Sequence, residues 1–140
     1  MEERRISTRE MFWNLLEMEL QRGLRYQNHF CLLTFNLCRI DDQANGKGLQ
    51  ICYQDLSQCL IEELRETDVL GFLGEDQLGV ILPYADPSAG GLVRSRIEAR
   101  LKCDEFNDQG YEVMIHQTCF PRDGMDMTDL SIRRTPFLYN

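Results

Sequence analysis

The sequence predicts a single α/β domain of the α+β kind, with helices packed on a central mixed sheet of four or five strands. The 140 residues and 43% hydrophobic content suit one domain with one core. Segments with helical periodicity alternate with short apolar runs in the order α-β-α-β-β-α-β-α. The sequence has no internal repeat or linker, so we expect one domain over residues 1–140.

The first half of the chain predicts a helix, a strand and a second helix. Ser7 and Glu10 form an S-x-x-E capping box, which predicts a helix over residues 8–26 with one apolar stripe. Residues 30–38, FCLLTFNLC, predict a strand covered on both faces, because the run is almost continuously apolar. A polar loop then leads to an amphipathic helix at residues 49–66.

The second half predicts a hairpin followed by a third helix. Residues 69–73 and 78–82 are apolar runs on either side of a turn led by glycine, which is typical of a β-hairpin. Pro87 suits the first position of the third helix, which carries apolar residues as far as Leu101. The remaining predicted elements are a strand, a turn and a short final helix, at residues 111–120, 121–124 and near 127–129.

Composition excludes several classes of function. The net charge of −8 disfavours nucleic acid or an anionic membrane as partner, because both require clustered lysine and arginine. No apolar run approaches the ~18–20 residues of a membrane span, and the N-terminus lacks the core of a secretory signal. The six cysteines contain no C-x-x-C pair, so we expect buried free thiols in a cytoplasmic protein.

The most specific pattern lies at residues 64–83, LRETDVLGFLGEDQLGVILP, where Arg65 and Asp68 precede the glycine-led turn. This segment resembles the signature hairpin of the GGDEF (diguanylate cyclase) family. The sequence PRDGMD at residues 121–126 is similar to a second segment of that family, in the same register. The resemblance implies a fold related to the nucleotidyl cyclase palm, and it implies that Asn140 lies within the family's last helix.

The resemblance also implies that the catalytic turn is degenerate. The family's Gly-Gly-Asp/Glu-Glu-Phe turn is replaced here by Gly74, Glu75, Asp76, Gln77 and Leu78. Asn36 aligns with the family's first metal-binding aspartate, and an amide is a poorer Mg²⁺ ligand than a carboxylate. Glu75 brings a side chain and a negative charge to the phosphate position. We therefore expect no catalytic residues, no Mg²⁺ or other cofactor, and no cyclase activity; an active cyclase is the less favoured alternative.

A second site of the family, an inhibitory site for cyclic di-GMP, matches better. The resemblance assigns its Arg-x-x-Asp pair to Arg65 and Asp68, and its third residue to Arg96. An arginine fork can donate two hydrogen bonds to guanine or phosphate. An alternative also explains these residues: Arg65 favours the end of a helix and forms with Asp68 a surface ion pair contributing about 0–1 kcal/mol.

Two functions follow from these patterns. The first is an inactive receptor for cyclic di-GMP that signals to an unknown protein partner. The second is a protein-interaction or dimerisation module that binds no nucleotide, with a homodimer as one form. A partner or oligomeric state that changes with cyclic di-GMP distinguishes the receptor from the plain module.

Overall fold

Seven helices and strands make up the part of the chain described by the computed structural model, which comprises residues 6–39, 48–74, 76–103 and 110–120. In chain order they are α1 (Arg9–Tyr26), β1 (Phe30–Arg39), α2 (Leu49–Glu63), β2 (Val69–Gly74), β3 (Gln77–Pro83), α3 (Pro87–Cys103) and β4 (Tyr111–Phe120). The predicted turn at residues 121–124, the short helix near residues 127–129 and Glu75 lie outside the described residues.

The four described strands form one sheet in the order β2-β3-β1-β4. All three neighbouring pairs are antiparallel, and β1 pairs with β4 along its whole length, from Phe30 opposite Phe120 to Arg39 opposite Tyr111. The parallel component of the predicted mixed sheet is here a single bridge between Ser7 and Gly71. The α+β fold class is confirmed.

Helices cover both faces of the sheet. Successive side chains of β1 point to opposite faces, and each face packs against helices in its own apolar cluster. The α1 cluster consists of Phe12, Trp13, Leu16, Leu20, Phe30, Leu32, Leu73, Ile81 and Phe120. The opposite cluster includes Leu33, Phe35, Tyr53, Leu56, Leu60 and Ile97, from β1, α2 and α3. The prediction that β1 is covered on both faces is therefore correct.

The first helix begins one residue later than its predicted capping box. Thr8 is the N-cap, and its Oγ1 accepts a hydrogen bond from the backbone N–H of Met11 at 3.3 Å. Ser7 is instead paired with β2: its N–H donates to the carbonyl of Leu70 at 2.9 Å, and its carbonyl accepts from Phe72 at 3.2 Å. Ser7 cannot cap the helix because its backbone is committed to the sheet edge.

The α1 aromatics belong to the core. Phe12 is fully buried and Trp13 is 1% exposed. The indole Nε1 of Trp13 donates to the carbonyl of Leu73 at 3.1 Å, which satisfies its polar atom. These two residues therefore fix α1 on the sheet.

Five of the six cysteines form no disulfide: Cys31, Cys38, Cys52, Cys59 and Cys119. Cys31 and Cys52 are buried, Cys59 and Cys119 are partly buried, and Cys38 is exposed, so the expectation of burial fails at Cys38. No helix among residues 6–39, 48–74, 76–103 and 110–120 is long and apolar enough to cross a membrane.

Candidate functional site

The Arg-x-x-Asp pair forms a closed turn between α2 and β2. The backbone N–H of Asp68 donates to the carbonyl of Arg65 at 3.0 Å, and the backbone N–H of Arg65 donates to Asp68 Oδ2 at 2.8 Å. Leu64, the C-cap of α2, is already extended. This turn ends α2 at Glu63, three residues before the predicted end, because the side chain of Asp68 offers the backbone an alternative to the helix.

The two members of the pair differ in exposure. The side chain of Arg65 is 65% exposed, whereas that of Asp68 is 2% exposed, and Arg65 Nη2 lies 3.6 Å from Asp68 Oδ1. Among the described residues, Asp68 Oδ1 has no hydrogen-bond partner. The carboxylate of Asp68 therefore does not lie on the open surface beside the exposed guanidinium of Arg65. The carboxylate lies beneath the guanidinium and presents an unused acceptor.

Arg96 reaches the same region from α3. Its Nε lies 3.0 Å from Glu63 Oε2, and its Nη2 donates to the backbone carbonyl of Glu63 at 2.7 Å. Glu63 is two residues before Arg65, so Arg96 is held at the C-terminal end of α2, next to the turn. A cation is favoured at this end of a helix because the last carbonyls carry partial negative charge.

Arg100 and Glu62 join Arg96 and Glu63 in one cluster of charged side chains at the end of α2. Arg100 Nη1 lies 3.1 Å from Glu63 Oε1, and Arg100 Nη2 pairs with Glu62. The sequence did not predict Glu62 or Glu63 as site residues. The available signal was their place in the last turn of α2, which contains no basic residue of its own to offset acids beside the helix dipole. Arginines of α3 provide that charge.

Arg94 does not belong to this cluster. Its Nε lies 2.9 Å from Glu98, and its Nη2 donates to the carbonyl of Ile115 on β4 at 3.0 Å. Arg94 and Arg100 lie on α3 on either side of Arg96 in the sequence. Of these two, Arg100 joins the carboxylates at the end of α2, whereas Arg94 anchors α3 to the sheet.

Neutral hydrogen bonds join Asn36 of β1 and Tyr53 of α2 to Asp76 and Gln77, at the start of β3. Asn36 Nδ2 donates to the carbonyl of Asp76 at 3.2 Å, and Asn36 Oδ1 accepts from Gln77 Nε2 at 3.1 Å. The hydroxyl of Tyr53 also donates to the carbonyl of Asp76, and it accepts from the N–H of Leu37 at 3.0 Å. Burial raises the pKa of the Tyr53 hydroxyl. The sequence analysis did not predict this role of Tyr53.

Asn36, at the position where the sequence comparison expects a metal ligand, has its side-chain amide engaged by protein groups. Mg²⁺ is bound through carboxylates and phosphate oxygens. Here both polar atoms of the Asn36 amide are already engaged with protein groups. Within the described part of the chain, no three or more acids, histidines or cysteines are arranged to hold a metal ion. That this turn binds no Mg²⁺ stays a prediction.

A separate groove runs along the outer surface of α1, with a volume of about 800 Å³. Its lining residues are Met18, Glu19, Gln21, Arg22, Leu24, Arg25 and Tyr26. Met18 and Tyr26 are more than half exposed, and the guanidinium of Arg22 stacks on the ring of Tyr84 at 4.7 Å. This groove contains none of the residues of the Arg65–Asp68 turn.

Comparison with solved structures identifies the class of fold: the chain has the fold of GGDEF domains of diguanylate cyclases. It aligns with a DGC protein from Thermotoga maritima at TM-score 0.73 and 16% identity, covering 96% of both chains. The active GGEEF domain of a diguanylate cyclase from Vibrio cholerae aligns at TM-score 0.73 and 13% identity, over 96% of this chain and 90% of the other.

A third similar structure contains a ligand. It comprises the coiled coil and GGDEF domain of DgcB from Caulobacter crescentus in complex with c-di-GMP, and it aligns at TM-score 0.73 and 11% identity, over 94% of this chain and 73% of the other. No protein-family model matches the sequence, and no curated protein matches it either. The resemblance to GGDEF domains is thus confirmed for the fold.

Proposed function

We propose that this chain is a cyclic di-GMP receptor built on a GGDEF-like domain that has lost cyclase activity. The observation that carries the proposal is the contact of Arg96 with Glu63, two residues before Arg65. Through it, a residue of α3 joins the Arg65–Asp68 turn at the end of α2. The three residues that the resemblance assigns to a cyclic di-GMP site therefore belong to one region of the surface.

The chemistry of this region suits a guanine nucleotide. The exposed guanidinium of Arg65 can donate a bidentate pair of hydrogen bonds to the O6 and N7 atoms of guanine or to a phosphate. Asp68 Oδ1 has no hydrogen-bond partner among the described residues, and it can accept from guanine N–H groups once Arg65 moves. A buried acceptor without a donor is costly, so a ligand that supplies one gains affinity.

The altered turn supports the loss of catalysis. Asn36 stands where a metal carboxylate is expected, and its amide is occupied by Asp76 and Gln77. Removing one group that stabilises charge in a transition state lowers the rate by about 10²–10³. The cyclase proposal therefore requires several compensating groups, whereas the receptor proposal requires none at this turn.

The proposal also specifies the ligand, cyclic di-GMP, and the cellular compartment in which the chain acts. A GGDEF domain of similar fold, that of DgcB, has been solved in complex with c-di-GMP. We extend that ligand to this chain on the basis of Arg65, Asp68 and Arg96. We also propose a cytoplasmic site of action, because the cysteines Cys31, Cys38, Cys52, Cys59 and Cys119 form no disulfide, which is typical of a reducing compartment.

The receptor proposal is tested by isothermal titration calorimetry of cyclic di-GMP into the wild type, Arg65→Ala and Arg96→Ala. Arg94→Ala is the matched control, since Arg94 lies on the same helix but contacts Glu98 and Ile115. We expect wild-type affinity near a Kd of about 1 μM, and weakening of about 10- to 100-fold in the two test variants only. If titration of the wild type produces no binding heat at about 100 μM ligand, the proposal is overturned.

Loss of catalysis has its own measurement. The purified chain is incubated with GTP and Mg²⁺, and the cyclic di-GMP formed is quantified by chromatography. We expect none above the level without protein. Clear turnover that increases with protein concentration contradicts this half of the proposal and leaves the binding half intact.

The α1 groove favours the second candidate function, a protein-interaction module. Met18 and Tyr26 expose apolar surface beside Arg22 and Arg25, and such a patch is typical of a protein contact. Light scattering coupled to size-exclusion chromatography, with and without cyclic di-GMP, separates the candidates. A self-association unaffected by the ligand, in a chain that shows no binding heat, supports the module alone.

A further inference from the structure

We propose that Glu63 acts as an internal competitor for the ligand, and that an incoming phosphate must replace its carboxylate at Arg96 and Arg100. This inference rests on the proposed receptor function and concerns what sets its affinity. Both oxygens of Glu63 are used: Oε2 lies 3.0 Å from Arg96 Nε, and Oε1 lies 3.1 Å from Arg100 Nη1. A carboxylate that bridges two guanidinium groups occupies the position that a bridging phosphate would take.

The backbone of Glu63 explains how such an exchange leaves the arginine in place. Arg96 Nη2 donates to the main-chain carbonyl of Glu63 at 2.7 Å, independently of the carboxylate. This bond holds the guanidinium at the end of α2 while the side chain of Glu63 turns away. The Nε edge of Arg96 is then available to a phosphate oxygen, with no movement of the helix.

The charges around Arg96 explain why the carboxylate of Glu63 must leave before a phosphate binds. Within residues 48–74 and 76–103, Arg65, Arg96 and Arg100 form ion pairs with the carboxylates of Glu62, Glu63 and Asp68. Arginines that are paired with carboxylates offer less attraction to a ligand that carries two phosphodiester charges. Displacement of the Glu63 carboxylate leaves Arg96 unneutralised and thereby creates the local positive charge that the ligand requires.

Glu62 and Glu63 provide a matched pair for the test. Both are carboxylates in the last turn of α2 and both pair with Arg100, but only Glu63 contacts Arg96. Glu63→Gln keeps the size and an acceptor while removing the charge. We expect Glu63→Gln to bind cyclic di-GMP roughly 3- to 10-fold more tightly than the wild type, with Glu62→Gln within about 2-fold.

The experiment is calorimetric titration of cyclic di-GMP into the wild type, Glu63→Gln, Glu62→Gln and the double variant Glu63→Gln/Arg96→Ala. Circular dichroism confirms that each variant is folded. The double variant tests whether the gain depends on Arg96; we expect it to lose the gain.

The outcomes separate this inference from the receptor proposal. If the wild type binds cyclic di-GMP and Glu63→Gln binds it with the same affinity, the competitor role is overturned and the receptor proposal is not. Glu63→Gln could bind cyclic di-GMP in a manner that requires Arg96 while titration of the wild type gives no heat. That result supports the competitor role and overturns the receptor function of the wild type. Equal gains in Glu62→Gln and Glu63→Gln overturn the competitor role, because general charge then accounts for them. Absence of heat in every variant overturns both proposals.

Discussion

The carboxylate of Asp68 accepts a hydrogen bond from the backbone N–H of Arg65 at 2.8 Å, so the buried acid of the Arg-x-x-Asp pair holds the turn that presents the exposed arginine. The pair is therefore more than a surface ion pair. Its acidic member has a structural role that is present without any ligand, and its basic member is accessible. This division predicts different consequences for the two side chains.

Asp68→Ala is expected to destabilise the fold, whereas Asp68→Asn is expected to be milder. Alanine leaves the N–H of Arg65 without its acceptor, which costs about 1–3 kcal/mol, while asparagine keeps an amide oxygen in that position. The measurement is the free energy of unfolding in urea. Glu66→Ala is the control, because Glu66 is an exposed acid in the same turn. Equal stability of Asp68→Ala and Glu66→Ala contradicts the structural role.

Asn36→Asp is expected to destabilise the fold and to give no cyclase activity. Asn36→Asp replaces the donor that faces the carbonyl of Asp76 with an acceptor, so two acceptors meet, at a cost of about 1–3 kcal/mol. Urea unfolding measures the loss, and a cyclase assay with GTP and Mg²⁺ is expected to show no product. Asn14→Asp, on the exposed side of α1, is expected to stay within about 0.5 kcal/mol. Unchanged stability, or recovered turnover, contradicts this account.

Local sequence patterns predicted most of the fold, because strands and helices here are specified by periodicity and turn residues. The bounds of β4 match their prediction, and α3 begins at the predicted Pro87. The errors lie where distant contacts compete with local propensity. Ser7 was assigned to a helix cap, but pairing with Gly71 commits its backbone elsewhere. The end of α2 was set too late, because Asp68 closes the turn at Arg65.

The candidate site was predictable only in part. The resemblance identified Arg65, Asp68 and Arg96, since their spacing is written in the sequence. It did not reveal that Asp68 is buried, because burial depends on how the turn packs. Nor did it indicate Glu63, whose significance arises only when α3 brings Arg96 to the end of α2. The local signal, two acids in a last helical turn that contains no basic residue, does not indicate which arginines of another helix pair with them.

Gly71→Ala is expected to be destabilising by about 1–3 kcal/mol, because α1 approaches β2 too closely for a side chain. A Cβ atom at Gly71 would lie 2.7 Å from Phe12 Cδ2 and 2.9 Å from Ser7 Cβ. Gly91→Ala is the matched control: apart from its chain neighbours and the backbone of its own helix, no described heavy atom lies within 4 Å of its Cβ position, and alanine favours the helix by up to about 1 kcal/mol. Urea unfolding compares the two. A Gly71→Ala variant as stable as Gly91→Ala would show that α1 packs differently.

The Cys31 thiol is expected to make the fold less stable in alkali. Cys31 is fully buried and donates to the carbonyls of Ala85 at 3.3 Å and Asp86 at 3.4 Å. Burial, followed by the hydrogen bond with Cys119, raises the pKa of this thiol well above its usual range. The unfolded chain ionises first, near pH 8.5, so the contribution is complete below that pH and declines as pH rises toward the raised folded pKa.

The decline should not exceed about 1.4 kcal/mol per pH unit for this one proton. The measurement is the free energy of unfolding between pH 8 and about pH 10, for the wild type and Cys31→Ala. We expect a steeper fall in the wild type, because alanine cannot ionise in the unfolded chain. Cys38→Ala, which removes an exposed thiol from the same strand, should follow the wild-type slope. If the wild-type and Cys31→Ala slopes coincide, the thiol at Cys31 is not held neutral by the fold.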